Sequence, residues 1–330
     1  MRRRTALLFV TLIALTGVAF LVALMFGGSK LSAGETIRAL LHPYASDAHQ
    51  MIIWRIRLPR VLLAFVVGAG LAPCGACFQG VLRNPLADPF TLGVSGGAAL
   101  GATLGVVSGV AGLWLPLCAF GGALISVFLV YVVAGAKRFS TAALILGGVI
   151  LSFVFSSMVM LVFAVSQTEK IHSAILWLMG DLSSAEDGLI KIVGGIVFCG
   201  IALLVLFARE LNVLSLGEEK AAHLGVRVEL TKKLVFVIAS LVTAACVSAS
   251  GMIGFVGLVV PHFIRHFSGP DHRVLIPACV FGGAALLIAC DCLARTIVSP
   301  MELPVGVVTG FLGGLFFLAI FFRSRNWELF

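Results

Sequence analysis

The sequence predicts an all-α membrane protein that crosses the bilayer about ten times, and three observations carry that reading. Hydrophobic residues make up 60% of the 330 and charged residues only 12%, with a mean hydropathy of +1.12. A soluble domain of this length could not cover itself with so few charges, so its solvent is lipid. Apolar runs long enough to span recur along the whole chain, at roughly 5–27, 60–80, 91–109, 113–134, 141–165, 189–208, 233–251, 274–294 and 304–322. A tenth, shorter run, MIGFVGLVVPHFIRHF, fills 252–267. Polar groups near these runs are few: Gln79, Asn84, Asp88, Asp291, Arg295 and Glu302 fall at helix ends or in breaks.

The first run follows Met-Arg-Arg-Arg. Its apolar stretch is too long for a signal peptide and no A-x-A cleavage site follows, so it reads as a helix that stays. The positive-inside rule puts Arg2, Arg3 and Arg4 in the cytoplasm, and ten spans bring the other terminus back to the same side. With this topology nearly two basic residues fall inside for each one outside. Arg55, Arg57, Arg60 and Arg295 break the trend. The net charge of +8 is mainly this orientation signal and does not call for nucleic acid.

The second run ends in RNPLADPFTLGVSGGAALGA, residues 83–102. Pro85 and Pro89 stop the helix, and the Gly/Ser/Ala stretch beyond lets the third helix approach its neighbours closely. A plain interhelical turn would have a similar composition. Eight cysteines lie almost entirely within predicted helices, and the Cys74-x-x-Cys77 pair has no second pair to complete a zinc site, so they read as packing residues. His262 and His266 sit at i, i+4 with no third ligand nearby and read as helix-end residues facing headgroups or a partner; no metal site is assigned.

Residues 1–330 read as one transmembrane domain whose longest polar insertions are 28–57 and 166–188 outside and 209–232 inside. Laying 60–85 on 237–262 brings FQGVL (78–82) onto FVGLV (255–259), a faint repeat which, five spans apart, would be inverted. No helix centre carries a carboxylate suited to proton relay, as an ion-coupled secondary transporter would require, and no catalytic cluster suggests a membrane enzyme. No G-x-x-x-x-G-K-[ST] is present, so nucleotide hydrolysis would belong to another chain. The polar, helix-prone segment 211–233, broken by Gly217 and Gly225, is either a solvated connector or the seat of a cytoplasmic motor.

RIRLPR (55–60), RNPLADP (83–89) with LGVSGGA (92–98), LGEEKAAHLGV (216–226), GFVGLVVPHFIR (254–265) and ELPVGVVTG (302–310) occur in this order. Together they resemble the permease subunit of the bacterial ABC importers for iron-siderophores, haem and cobalamin, type II importers. The resemblance implies a homodimer of ten-helix subunits in the bacterial inner membrane. Two ATP-binding cassette subunits, which bind the ATP and Mg, would sit below, and a periplasmic substrate-binding protein would dock outside; this chain itself would hold no cofactor. It places the cytoplasmic gate at Asn84 and Leu86. It assigns ATPase coupling to Leu216, Gly217, Glu218, Glu219, Lys220, Ala221, Leu224 and Gly225. It gives Arg57, Arg60 and Arg295 to the binding protein, gripping carboxylates with their planar guanidinium forks, while Arg55 fits headgroup anchoring better. The fifth and tenth runs, 141–165 and 304–322, would line the pathway. An iron-siderophore is the first expectation for the cargo, then haem, then cobalamin, with an oxyanion such as molybdate also open. Two positions depart from the family pattern: Pro73, where a non-proline residue is usual, and Leu315, where proline is common.

Overall fold

The computed structural model describes residues 2–27, 33–41 and 48–323, and these are helical almost throughout. In chain order the helices are α1 (Arg2–Met25), α2 (Ala33–Leu41), α3 (Ala48–Met51), α4 (Leu58–Leu82), α5 (Val94–Val107), α6 (Trp114–Gly135), α7 (Thr141–Ala164) and α8 (Thr168–Leu178). They continue with α9 (Asp187–Leu206), α10 (Ala208–Leu214), α11 (Glu218–His223), α12 (Val228–Ser250), α13 (Val256–Ser268), α14 (His272–Thr296) and α15 (Val305–Arg323).

All ten predicted apolar runs are helical, and seven helices among the described residues are long and apolar enough to cross a bilayer. Helices α5 and α13 have 14 and 13 residues, about 20 Å of rise against a hydrocarbon core of about 30 Å. Irregular backbone at 83–93 and 251–255 leads into each of them. It is tolerated because it is packed in protein, with Ala87, Asp88, Leu92 and Ile253 all buried.

Two features depart from the sequence reading. The second span begins well before 60: a π-helical stretch, Ile52–Arg57, joins α3 to α4 in one apolar helix of 35 residues. Arg55 and Arg57 interrupt the hydropathy without interrupting the helix. Insertion 166–188 is also not simple loop, since it carries α8, which packs against α5.

The core forms around α4 and α12, which run antiparallel. Gly70 abuts Cys246 and Val242, while the Phe78 and Phe236 rings meet edge-on with centroids 6.2 Å apart. Helix α4 also packs on α13 and α14, and α12 on α5 and α6. Each of these two core helices thus packs on the pair of helices that follows the other. The FQGVL-on-FVGLV alignment misses it, because 78–82 closes α4 whereas 255–259 opens α13. Close crossings explain the small residues. A Cβ on Gly68 or Gly283 would collide with the other's carbonyl oxygen, and Gly97 and Gly122 stand in the same relation between α5 and α6. Cys74, Cys77, Cys246 and Cys279 are unpaired and buried in the same core, as packing residues. Pro73 sits buried within α4 without ending it, and Leu315 is 49% exposed, so neither departure disturbs the fold. Outer helices turn large apolar residues such as Leu15, Phe153 and Phe198 outward, as a lipid solvent requires.

Candidate functional site

Charged groups gather at the two ends of α4. At its start, Arg60 lies against α14, and its Nε is 2.9 Å from Asp291 Oδ1 while Nη1 is 2.5 Å from Glu302 Oε2. Arg295, one turn beyond Asp291 on α14, places Nε 2.9 Å from the second Asp291 oxygen. The cluster also caps α1: Arg57 Nη1 donates to the Leu24 and Met25 carbonyls at 2.7 and 3.0 Å, and Arg295 Nη2 to that of Ala23 at 3.2 Å. Carbonyls at a helix C-terminus have no intrahelical donor, so guanidinium groups satisfy them and complement the helix dipole.

The three arginines expected to meet the binding protein, Arg57, Arg60 and Arg295, are gathered in this cluster. They are 3%, 6% and 2% exposed, and their forks are turned inward onto Asp291, Glu302 and α1. Arg55, read as the membrane anchor, is the exposed one. Three residues apart, Arg57 and Arg60 share one face of the helix, while Arg55, two residues from Arg57, points the other way. In the sequence Asp291 and Glu302 read only as polar residues near a helix end; the i, i+4 spacing of Asp291 and Arg295 was the available signal, and Glu302, beyond α14, carried none.

At the other end, α4 stops at Arg83, which adopts a left-handed backbone (φ 49) while Asn84 N–H donates to the Gln79 carbonyl. Asn84 Oδ1 accepts from Leu86 N at 2.9 Å, closing a tight turn that leaves Leu86 46% exposed. Asp88 then caps the short 3-10 helix Pro89–Leu92 through Phe90 N at 2.8 Å. Burial pushes the Asp88 carboxyl up to about 6, against the Phe90 hydrogen bond that favours its charge.

The predicted coupling segment lies beside this turn. Helix α10 precedes Gly217 (φ +113), α11 follows it, and Gly225 (φ +84) ends α11; both glycines hold conformations that a side chain would strain. Ala221 is fully buried, whereas Leu216 and Leu224 are 57% and 64% exposed and Glu219 and Lys220 face outward. Glu218 does not. Its carboxylate is 2.5 Å from Lys232 Nζ and 3.5 Å from Arg83 Nη2. Lys232, 1% exposed, also donates to the Phe139 carbonyl at 3.1 Å in the turn between α6 and α7. Sequence reasoning missed Lys232 and Arg83, since a lysine in the first turns of a long helix reads as a solvated charge. A second tie joins α10 to α14: Asn212 Nδ2 donates to Asp271 Oδ1 at 2.6 Å, and Asn212 Oδ1 accepts from His272 N at 2.8 Å. Burial alone would raise the Asp271 carboxyl, but hydrogen bonds from Asn212 and the Arg273 amide hold it below its usual value.

His262 packs edge-on against Phe316, and His266 against Phe267. The described residues contain no group of three His, Cys, Asp or Glu side chains able to hold a metal ion. Helices α7 and α15, expected to line the pathway, keep long outward apolar faces that include Phe153, Leu161, Phe311 and Leu318.

The chain is 39% identical over 316 residues to the hemin transport system permease protein HmuU of Yersinia pestis, covering 93% of this chain and 94% of that one. It is 44% identical over 282 residues to the cobalamin import system permease protein BtuC of Halobacterium salinarum, covering 85% and 75%. The Fe(3+) dicitrate transport system permease protein FecD of Escherichia coli is 39% identical over 292 residues, covering 87% and 91%. Among solved structures, a metal-chelate type ABC transporter in an inward-facing conformation superposes with a TM-score of 0.85 at 31% identity, over 97% of this chain and all of that one. A family model, that of the FecCD transport family, matches residues 15–323, and this multi-pass membrane protein belongs to that family.

Proposed function

We propose that this chain is the membrane permease of an ATP-driven importer that carries an iron chelate across a bacterial inner membrane. Two copies enclose the pathway about a two-fold axis, and two ATPase subunits seat against α10 and α11. A periplasmic binding protein delivers the cargo at the face of Arg60 and Glu302. Both termini lie on the ATPase side, and ATP and Mg belong to the ATPase.

One observation carries this reading: exposed Leu216, Glu219, Lys220 and Leu224 lie on and beside a short helix that Glu218 ties to buried Lys232, with Arg83, immediately before the Asn84–Leu86 turn, 3.5 Å from the same carboxylate. A surface built that way passes a push from a partner to the end of the core helix α4 without flexing. The iron chelate is favoured by the hemin and Fe(3+) dicitrate permeases among the relatives and by the metal-chelate type of the structural neighbour. The cobalamin permease keeps cobalamin as the second cargo. The alternative of ion coupling finds little support: the most buried carboxylate, Asp291, is held by two arginines.

Reconstitution in liposomes with the partner ATPase and binding protein tests the proposal. Ferric siderophore or haem should accumulate only with ATP inside the compartment bearing the ATPase. Uptake of cobalamin but neither iron chelate would replace the cargo, and uptake surviving without ATPase but abolished by ionophores would overturn the importer reading.

A further inference from the structure

The turn between α6 and α7 carries cations that the fold leaves largely unbalanced. Lys137 and Arg138 are exposed, and neither makes an ion pair among the described residues. Lys233 joins them from α12, which packs against α6. It holds Glu229 at 2.6 Å and stands over the Phe139 ring, 5.2 Å from the centroid, so its ammonium has a fixed place. Arg138 lies close enough to Glu229 to act on its charge. Three cations thus share one carboxylate, and an anion brought to this turn meets a surplus of positive charge.

The backbone shows that the arrangement is imposed. Arg138 and Phe139 both hold left-handed conformations, each with φ of 52°, and neither is a glycine, asparagine or aspartate. The nearest glycine, Gly135, ends α6 instead. Packing supports the costly turn. The buried Phe139 ring sits between Tyr131 and Phe236, with centroids 4.9 and 6.4 Å away, and the Phe139 carbonyl accepts from Lys232. With Phe139 turned inward, Arg138 stays outside. Such strain persists only where the surrounding contacts over-determine it.

What lies beside the cations decides what they meet. On α6, Phe128 and Val132 flank Tyr131 along the helix and are exposed, as is Leu234 on α12, next to Lys233. The patch is therefore apolar along the spans and basic where they end, with a tyrosine ring at the boundary. An anionic phospholipid has the matching profile, acyl chains below a negatively charged headgroup. A soluble partner would meet the cations but not the apolar rows, which lie at membrane depth.

We infer that the α6–α7 turn and the adjoining end of α12 bind an anionic phospholipid, its phosphate held by Lys137, Arg138 and Lys233 and its chains laid on Phe128, Val132 and Leu234. The bound headgroup braces the turn whose Phe139 carbonyl holds Lys232, and through Lys232 the Glu218 tie to α11. This binding depends on the multi-pass fold and is independent of the cargo.

The test uses the full chain assembled with its ATPase, in detergent micelles supplied with equal amounts of phosphatidylglycerol and phosphatidylcholine, and counts the retained lipids by native mass spectrometry. Arg138→Gly suits the left-handed backbone while removing the guanidinium. Lys137→Gln removes an exposed ammonium at a position without strain. Wild type should retain phosphatidylglycerol in preference to phosphatidylcholine. Lys137→Gln alone should weaken that binding about fivefold, and the double variant about tenfold or more. Arg4→Gln, which removes an exposed charge from the start of α1, should keep the wild-type preference. Equal retention of the two lipids by wild type, undiminished phosphatidylglycerol in the double variant, or an equal loss in Arg4→Gln would overturn the site. Displacement of the lipid by inorganic phosphate would assign the cations to a free anion. Weakened ATPase association with lipid retention intact would assign them to a protein partner, and either result would also sink the lipid site.

Discussion

The two ends of α4 solve the same electrostatic problem in opposite ways. At the start, three arginines and Asp291 are almost wholly withdrawn from solvent and turned onto one another and onto the end of α1, with Glu302 at the exposed edge of the cluster. At the other end, Glu218 is shared between a buried lysine and an exposed arginine, and the helix it anchors displays leucines and charges to solvent. The first arrangement fastens helices together; the second presents a rigid surface to something else. Sequence cannot tell them apart, because both read as arginines and acids near the ends of apolar runs.

The sharpest way to break this contrast is at Asp291, which neutralises Arg60 and Arg295 together. Asp291→Ala leaves two buried guanidinium groups short of a counter-charge and should cost about 3–5 kcal/mol, seen as a large fall in the thermal midpoint in detergent. A variant as stable as wild type would mean that the cluster is hydrated and is not a fastening.

Asp88 should give the next largest effect, and its sign follows from burial. Its folded carboxyl is raised to about 6 from an ordinary 3.8, so its contribution to stability is fully present below about pH 4 and is lost as pH rises through 6. Asp88→Asn keeps an oxygen to accept from Phe90 N and removes the charge. Its stability relative to wild type should therefore climb between pH 4 and 6 by about 2 kcal/mol and then level off. Parallel pH profiles for the two proteins would contradict this.

Lys232 sharpens the comparison from the other end. Lys232→Met keeps the buried stem but releases Glu218 and the Phe139 carbonyl, at a cost of about 1–3 kcal/mol. The loss should be local: amide exchange in α11 should accelerate while that of α4 stays slow. Reversing Glu218 to lysine is the poorer probe of ATPase binding, because it breaks this internal pair first. Exposed Leu216 and Leu224 avoid the confusion. Leu216→Asp with Leu224→Asp should leave the midpoint unchanged and weaken ATPase association about tenfold or more. Unaltered assembly would remove these residues from the interface.

The fold was legible because lipid imposes long apolar runs, and every predicted run is a helix. Positions of breaks were legible too, from Pro85 and Pro89 and from Gly217 and Gly225. Facing direction was not. Helical spacing sets Arg55 opposite Arg57 and Arg60, but which of the two faces meets solvent depended on where α1 and α14 pack. The partners of Glu218 were hidden for a related reason: Lys232 and Arg83 are far from it in sequence or on another helix, and only the folded chain brings the three together.

Arg55 offers the smallest effect and the finest distinction. It lies two residues before Arg57 on the same π-helical stretch, yet it is exposed while Arg57 is buried beneath the end of α1. If a binding protein docks at this face through surface charge, Arg55 is the guanidinium placed to steer it. Rim charges act mainly on association rate and on its salt dependence, so Arg55→Glu should slow capture of the binding protein about two- to fivefold at low salt and by little at 0.5 M salt. The unfolding midpoint should not move. Arg57→Lys should do the reverse, lowering the midpoint through loss of one helix-capping fork while leaving the association rate near wild type. Stopped-flow association of a labelled binding protein, run beside thermal unfolding, separates the two. Should Arg57→Lys slow capture as much as Arg55→Glu does, the buried cluster opens on docking, and the division between a fastening and a presenting surface would not hold at this face.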